Sequence, residues 1–173
     1  MNRRTVLGLT TAALLCTGVV FSASQAPAQK SLKDQLVGAW TLVSSVATAP
    51  NGTTEQFYGP NPKGIMILDA SGRYAQVQGR SDRPKLKTAN RFELDATAAE
   101  LKTVLLGFAA NTGSWSVNEA DKTLIRRYES ALVPNNEGSE QKAIVTLTGD
   151  ELKLTQVSPT SRVRTDAVYR RAK

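Results

Sequence analysis

One arginine stands among apolar residues where it could bind an anion. In the run 124–132, alternate positions are occupied by Leu124, Arg126, Tyr128, Ser130 and Leu132. Alternate side chains of a strand share one face, so a face that carries leucine inward carries Arg126 inward too. A buried guanidinium needs an anionic partner, and its planar fork suits a carboxylate or a phosphate. The pattern therefore indicates an anion contact at Arg126.

A second alternating run supplies more polar groups. Its even face consists of Tyr74, Gln76, Gln78 and Arg80. The predicted ligand-binding residues are Tyr74, Gln76, Arg126 and Tyr128 as polar groups, with Trp115 as an apolar wall. Two structural alternatives stay open for Arg126, which could reach water at the rim of the fold or pair with Glu129, Glu140 or Asp166. One bulge in the strand would also reverse which face points inward.

Residue types missing from the sequence exclude several enzyme classes. The chain has no His and one Cys, Cys16, so it cannot build a Ser-His-Asp triad, a Cys-His pair or a Cys/His zinc cluster. We expect no metal and no cofactor. Asp82, Glu93 and Asp95 could supply a general base, but no spacing selects a pair, and acids there also suit helix caps. The catalytic residues stay unknown, and binding is favoured over catalysis.

The first 28 residues are typical of a secretory signal peptide. Arg3 and Arg4 precede 16 uncharged residues (6–21), and Ala26-Pro27-Ala28 forms a small-residue cleavage site. A membrane anchor needs roughly 20 apolar residues. We expect export by the general secretory or the twin-arginine route, to the periplasm or the medium. Loss of the two arginines would lower the net charge from +7 to +5 and leave a chain without cysteine.

The basic residues are not arranged as a nucleic-acid site. The sequence has 22 basic and 15 acidic residues, interleaved along the chain, and the one concentrated basic segment is 170–173. Nucleic-acid binding relies on clustered Lys and Arg, so we expect a small-molecule ligand and no nucleic acid. No membrane-spanning segment is expected after cleavage, and the oligomeric state stays open.

Short alternating segments separated by turns predict an all-β domain. We expect strands over residues 36–46, 63–68, 73–78, 113–118, 122–133, 141–148, 151–157 and 162–170. About eight sequential strands favour an antiparallel up-and-down barrel, which leaves no open sheet edge. The expected domain is 36–171, preceded by a short segment, 29–35.

One inserted helix is expected at about 95–110. Asp95 or Thr97 can cap its first turn, and apolar residues then recur at three- and four-residue spacing up to Phe108. The same spacing predicts that these apolar residues form one face of the helix.

Five segments spread along the chain form a recognisable set. They are 36–44, 59–67 with its Gly-Pro-Asn-Pro-Lys-Gly stretch, 71–74, 132–135 and 147–152. Together they resemble the bacterial and fungal lipocalin-like domain family, over about 36–171. The resemblance implies a lipocalin-type barrel but no generally established reaction or ligand. Family members often carry a His pair where this chain has Arg126 and Arg127, so an activity that used those imidazoles does not carry over.

The resemblance also gives two residues a structural role. In lipocalins a Gly-x-Trp motif opens the first strand, the indole plugs the closed end of the barrel, and an Arg of the last strand packs over it. Gly38-x-Trp40 matches this motif, and Arg171 shares a face with Ala167 and Tyr169. We therefore predict Trp40 and Arg171 as structural residues joined by a cation–π contact.

These features lead to one favoured function and two alternatives. The favoured hypothesis is an exported barrel that binds a small, partly apolar molecule, which can be anionic, in its interior; it fails if the interior has no room for a ligand. The second is a cofactor-free isomerase or cyclase that fixes a reactive conformer, which needs an inward carboxylate or Tyr hydroxyl. The third is a solid barrel that binds a protein partner in the cell envelope through a strand edge or the helix at 94–108.

Overall fold

The computed structural model of the chain describes residues 30–173 except 89, 91, 93 and 94. The expected signal peptide, 1–28, and the candidate base Glu93 lie outside the described residues, as does residue 94, where the segment 94–108 of the interaction alternative begins. Within the described part, the elements are α1 Leu32–Leu36, β1 Gly38–Thr48, β2 Thr54–Gln56, β3 Lys63–Leu68, β4 Arg73–Gly79, α2 Ala98–Leu106, β5 Phe108–Asn118, β6 Thr123–Ala131, a 3-10 turn Pro134–Asn136, β7 Glu140–Thr148, β8 Glu151–Val157 and β9 Arg164–Arg171.

The strands form one antiparallel sheet that closes on itself. Neighbouring strands pair in the order β2-β1-β3-β4-β5-β6-β7-β8-β9, and β1 also pairs with β9. Trp40 marks the closure, because it is opposite Met66 of β3 on one side and Arg171 of β9 on the other. Eight strands therefore make a closed barrel and β2 is an extra strand beside the end of β1. The predicted all-β up-and-down barrel is confirmed.

Alternation along the strands sends one set of side chains into the barrel. The buried apolar residues on this inner face include Trp40, Leu42, Met66, Leu68, Trp115, Leu124, Ala143, Val145, Leu152, Leu154 and Tyr169. Each position two residues along a strand returns to the same face, which is why the polar Gln76, Gln78 and Arg126 are buried among them. The core and the candidate site thus occupy the same interior.

The closed end of the barrel, where β1 begins and β9 ends, is organised around Trp40. Its indole Nε1 donates to the Leu36 carbonyl oxygen over 2.8 Å, and the Arg171 guanidinium carbon lies 4.2 Å from the ring centroid. Arg171 also donates to the carbonyl oxygens of Gln35 and Val37, over 2.7 and 3.1 Å. Gly38 makes room for this guanidinium, because a Cβ there would lie 3.1 Å from Arg171 Nη1.

Helix α2 is shorter and more exposed than the sequence predicts. Thr97 caps it in a reciprocal capping box with Glu100, and it ends before Gly107. Phe108 begins β5 instead of ending the helix, since it pairs with Gly79 of β4. No residue of α2 is buried, and Leu106 is 66% exposed. The inserted helix predicted at about 95–110 is therefore present but spans only Ala98–Leu106. Its C-terminal end is earlier because sheet pairing overrides helical spacing from Phe108 onward.

Two short elements were absent from the sequence-based interpretation. Helix α1 lies mostly in the short segment 29–35, for which no secondary structure was predicted, and the Glu119 carboxylate accepts from the backbone N–H groups of Leu32 and Lys33 over 3.0 and 2.9 Å. Strand β2 pairs only with the last three residues of β1. Helix α1 depends on a partner distant in the chain, which local patterns do not show. Strand β2 forms a short hairpin with β1 that the sequence analysis did not identify.

A bulge in β6 ends the inward face at Tyr128. Thr112 is opposite Ser130 and Gly113 is opposite Tyr128, so Glu129 has no opposite residue. Ser130 therefore does not continue the face of Tyr128, and the expected alternation over 124–132 is wrong beyond that point. Glu129 instead binds the guanidinium of Arg73 outside the barrel, with N–O distances of 2.5 and 2.7 Å.

Gly113→Ala should destabilise the protein by about 1–3 kcal/mol, the usual cost of overpacking. A Cβ at Gly113 would lie 1.9 Å from the Arg127 carbonyl oxygen, so the bulged strand would have to move. The free energy of unfolding, measured in urea by tryptophan fluorescence, checks this. Gly52→Asn is the control, since a Cβ at Gly52 meets nothing within 4 Å and Asn tolerates its positive φ. Equal losses of unfolding free energy in Gly113→Ala and Gly52→Asn would contradict the close contact between Gly113 and the Arg127 carbonyl group.

Candidate functional site

Arg126 lies inside the barrel on β6. Its side chain points between β4 and β9, and the residue is 5% exposed. Its Nη1 donates to Oε1 of Gln76, and the guanidinium carbon lies 5.9 Å from the centroid of the Tyr74 ring. The bulge at Glu129 comes after Arg126 in the strand, so it leaves the inward direction of this arginine unchanged.

A hydrogen-bonded network extends from Arg126 across the barrel. Gln76 Nε2 donates to the Tyr169 hydroxyl over 2.9 Å, and Gln78 Nε2 donates to the same oxygen. Three strands, β4, β6 and β9, are thus joined through buried polar side chains. The stability of such a network depends on every hydrogen bond in it, because each buried polar group without a partner costs free energy in a medium of low dielectric constant.

The positive charge of Arg126 is not matched by an acid in the described part of the chain. None of the ion pairs found there includes Arg126, and its Nε is buried without a hydrogen-bond partner. Two of the acids considered as partners are engaged elsewhere, Glu129 with Arg73 and Asp166 with Lys153 and Arg164. Arg126 is therefore a buried cation with an unused donor.

A small cavity lies beside Arg126. Its volume is about 40 Å³, and its lining is Gln76, Gln78, Arg126, Leu154, Gln156, Thr165, Ala167 and Tyr169. Pockets for drug-sized ligands are roughly 300–1,000 Å³, so the interior of this conformation can hold only part of such a molecule.

A larger cleft adjoins the cavity at the mouth, the end of the barrel opposite Trp40. It has a volume of about 400 Å³ and shares Gln156 and Thr165 with the inner cavity. The remaining lining is Phe57, Gln141, Val157, Ser158, Pro159, Ser161 and Val163. The two spaces are therefore neighbours, and the inner one is lined by Arg126.

Tyrosine hydroxyls surround the site. Burial raises the pKa of Tyr74 and of Tyr169, and it raises the pKa of Tyr58 from 10.0 to about 12, with a further contribution from Tyr128. The Tyr74 hydroxyl is buried without a partner, and the Tyr74 and Tyr128 ring centroids are 6.4 Å apart. Tyr58, Tyr74 and Tyr169 therefore keep their protons at neutral pH and remain able to donate a hydrogen bond.

The predicted binding residues do not all meet at the cavity. Gln76 and Arg126 line it, and Tyr74 and Tyr128 lie next to them in the interior. Trp115 is buried elsewhere, and its Nε1 donates to the Asp69 carbonyl oxygen in a turn at the closed end, over 2.9 Å.

Sequence analysis missed part of the cavity wall. Gln78 had been placed on the right face but was not selected, and Gln156, Thr165 and Tyr169 were not considered as ligand contacts. The alternation of Thr165, Ala167 and Tyr169 in β9 was the signal that could have identified two of them.

The candidate acids lie away from the cavity. Asp82 binds Arg80 over 2.8 Å and Asp95 binds Lys87 over 3.2 Å, all of them exposed to solvent. Among the residues with described positions there is no group of three or more His, Cys, Asp or Glu side chains that could hold a metal ion. The helices in that same part of the chain are too short or too polar to cross a membrane.

Tyr58 should make the protein less stable at alkaline pH. Its folded-state pKa of about 12 exceeds the ordinary value of 10.0, so the stabilisation is complete below pH 10 and is lost as pH rises to about 12. Urea midpoints measured from pH 8 to 12 should fall less steeply for Tyr58→Phe than for the wild type. Identical slopes would contradict this origin of the pH dependence.

Comparison with known proteins identifies the domain. No curated protein matches the chain. A family model described as a lipocalin-like domain matches residues 37–172, which include the eight strands of the barrel and the extra strand β2. The chain therefore belongs to the lipocalin-like domain family.

Proposed function

We propose that this protein is an exported barrel that binds a small, partly apolar, anionic molecule, with the negative group held by Arg126. The observation that carries the proposal is the buried guanidinium with an unused Nε donor and no acidic partner among the described residues. Taking a guanidinium out of water costs several kcal/mol unless charge and hydrogen bonds compensate. An anionic ligand would supply both.

The dimensions of the two spaces suggest how such a ligand would lie. The inner cavity accommodates a head group beside Arg126, and the mouth cleft accommodates the remainder. Phe57 and Val157 are exposed at this cleft, so they offer apolar surface to the rest of the ligand. The ligand would therefore enter head first through the mouth.

Arg126→Gln should abolish retention of the ligand, because it removes the charge while keeping a side chain that can form hydrogen bonds. Native mass spectrometry of protein purified gently from its own source should show an adduct in the small-metabolite mass range. We expect the adduct in the wild type and in Arg127→Gln, whose target is the exposed neighbouring arginine, and at least a tenfold lower occupancy in Arg126→Gln. Wild-type protein without an adduct, or equal occupancy in both variants, would contradict the proposal.

Export is proposed from residues 1–28 and can be tested directly. N-terminal sequencing of protein from the periplasm or medium should begin at Gln29, and its intact mass should match residues 29–173. Uncleaved protein confined to the cytoplasm would refute the proposed localisation.

The interaction-module alternative is favoured by one observation. Leu101, Leu105 and Leu106 of α2 are exposed at the mouth end, which leaves apolar surface for a partner. The strand-edge version has less support, because the barrel closes between β1 and β9. Adduct-free wild-type protein would shift the interpretation to this alternative. The isomerase alternative relies on Tyr169, whose hydroxyl lines the cavity as a potential acid.

A further inference from the structure

Hydrogen-bond directions around Tyr169 leave its own proton unused. The hydroxyl oxygen accepts from the side-chain amides of Gln76 and Gln78, and no acceptor for its O–H is found among the described residues. An oxygen that accepts two hydrogen bonds still has one proton to donate. Because Tyr169 lines the cavity, that proton is available to a ligand there.

Arg126 lines the same cavity and also has a donor without a partner. Its Nη1 is engaged by Gln76, whereas its Nε–H is buried without an acceptor. We propose that the inner cavity is a carboxylate site, in which Arg126 and Tyr169 each donate to the ligand head group. This inference rests on the proposed function and narrows its anion to one chemical class, with Tyr169 as a specificity-determining residue.

The pattern of donors disfavours neutral and cationic head groups. An ionised carboxylate only accepts hydrogen bonds, so it can satisfy both donors without adding one of its own. An alcohol brings a further proton and no charge, and an amine brings a second buried cation beside Arg126. Burial raises the pKa of Tyr169, which keeps the phenol protonated and able to donate.

The size and charge of the cavity disfavour larger anions. The cavity volume of about 40 Å³ is only a few times the space that one water molecule needs, so it favours a compact head group. A phosphate group is bulkier than a carboxylate. A singly charged carboxylate also balances the single charge of Arg126, whereas a phosphate monoester at neutral pH would leave negative charge buried.

A matched set of probes tests this assignment. Octanoate, octanol, octylamine and octyl phosphate share one tail, and their affinities for the mature protein can be compared by isothermal titration calorimetry at pH 7.5. We expect octanoate to bind at least tenfold more tightly than each of the others. Octanol, octylamine or octyl phosphate binding as tightly as octanoate would overturn the carboxylate assignment but leave the proposed barrel-binding function standing. If none of the four probes binds, the carboxylate assignment is overturned as well. An adduct on the native protein would in that case still support the proposed barrel-binding function.

Tyr169→Phe tests the second donor. Removing a hydrogen bond to a charged group should weaken octanoate binding roughly ten- to hundredfold and should reduce the preference for octanoate over octanol. If Tyr169 had only a structural role, the substitution would weaken the binding of octanoate and of octanol by the same factor. Thr146→Val, which removes a hydroxyl from an exposed position on β7, is the control for hydroxyl loss. An unchanged octanoate preference in Tyr169→Phe, with near-ultraviolet circular dichroism as in the wild type, would refute the role of Tyr169.

Discussion

Closure of the barrel between β1 and β9 is the constraint on which the rest of the structure depends. Once the sheet has closed, each strand must send alternate side chains into one shared interior, and β6 sends Arg126 there with Leu124 and Tyr128. The guanidinium cannot turn to solvent without breaking the strand alternation. The amides of Gln76 and Gln78 and the hydroxyl of Tyr169 are arranged around that buried charge.

The two ends of the barrel have different roles because they are filled differently. At the closed end, Arg171 covers Trp40 and binds two backbone carbonyl oxygens, so polar and apolar groups there are satisfied within the protein. Toward the mouth, the lining becomes polar and the small cavity adjoins a larger cleft. Unsatisfied donors and available space thus occur together, a combination that favours ligand binding at the mouth half of the interior.

The bulge in β6 separates the site from the outer surface. Before it, Arg126 and Tyr128 point inward; at it, Glu129 turns outward to Arg73. The carboxylate nearest in sequence to Arg126 is thereby committed to another arginine. Gly113 permits this arrangement, because any side chain at that position would meet the Arg127 carbonyl group. A single local irregularity therefore helps to keep the interior cation without an internal acid.

Much of the barrel could be predicted from local sequence. Alternation and turn residues predicted the observed bounds of β3 and β8. The same alternation predicted that Gln76, Gln78 and Arg126 point inward, because the side chains on one face of a strand recur with a period of two. Only the tertiary structure decided the end of α2 and the bulge at Glu129, since each depends on a partner distant in the chain, and only the structure showed the short pairing of β2 with β1. It also decided that Tyr169, rather than Trp115, lines the cavity. Strand register and barrel closure bring side chains together across the interior, and neither can be read from one segment alone.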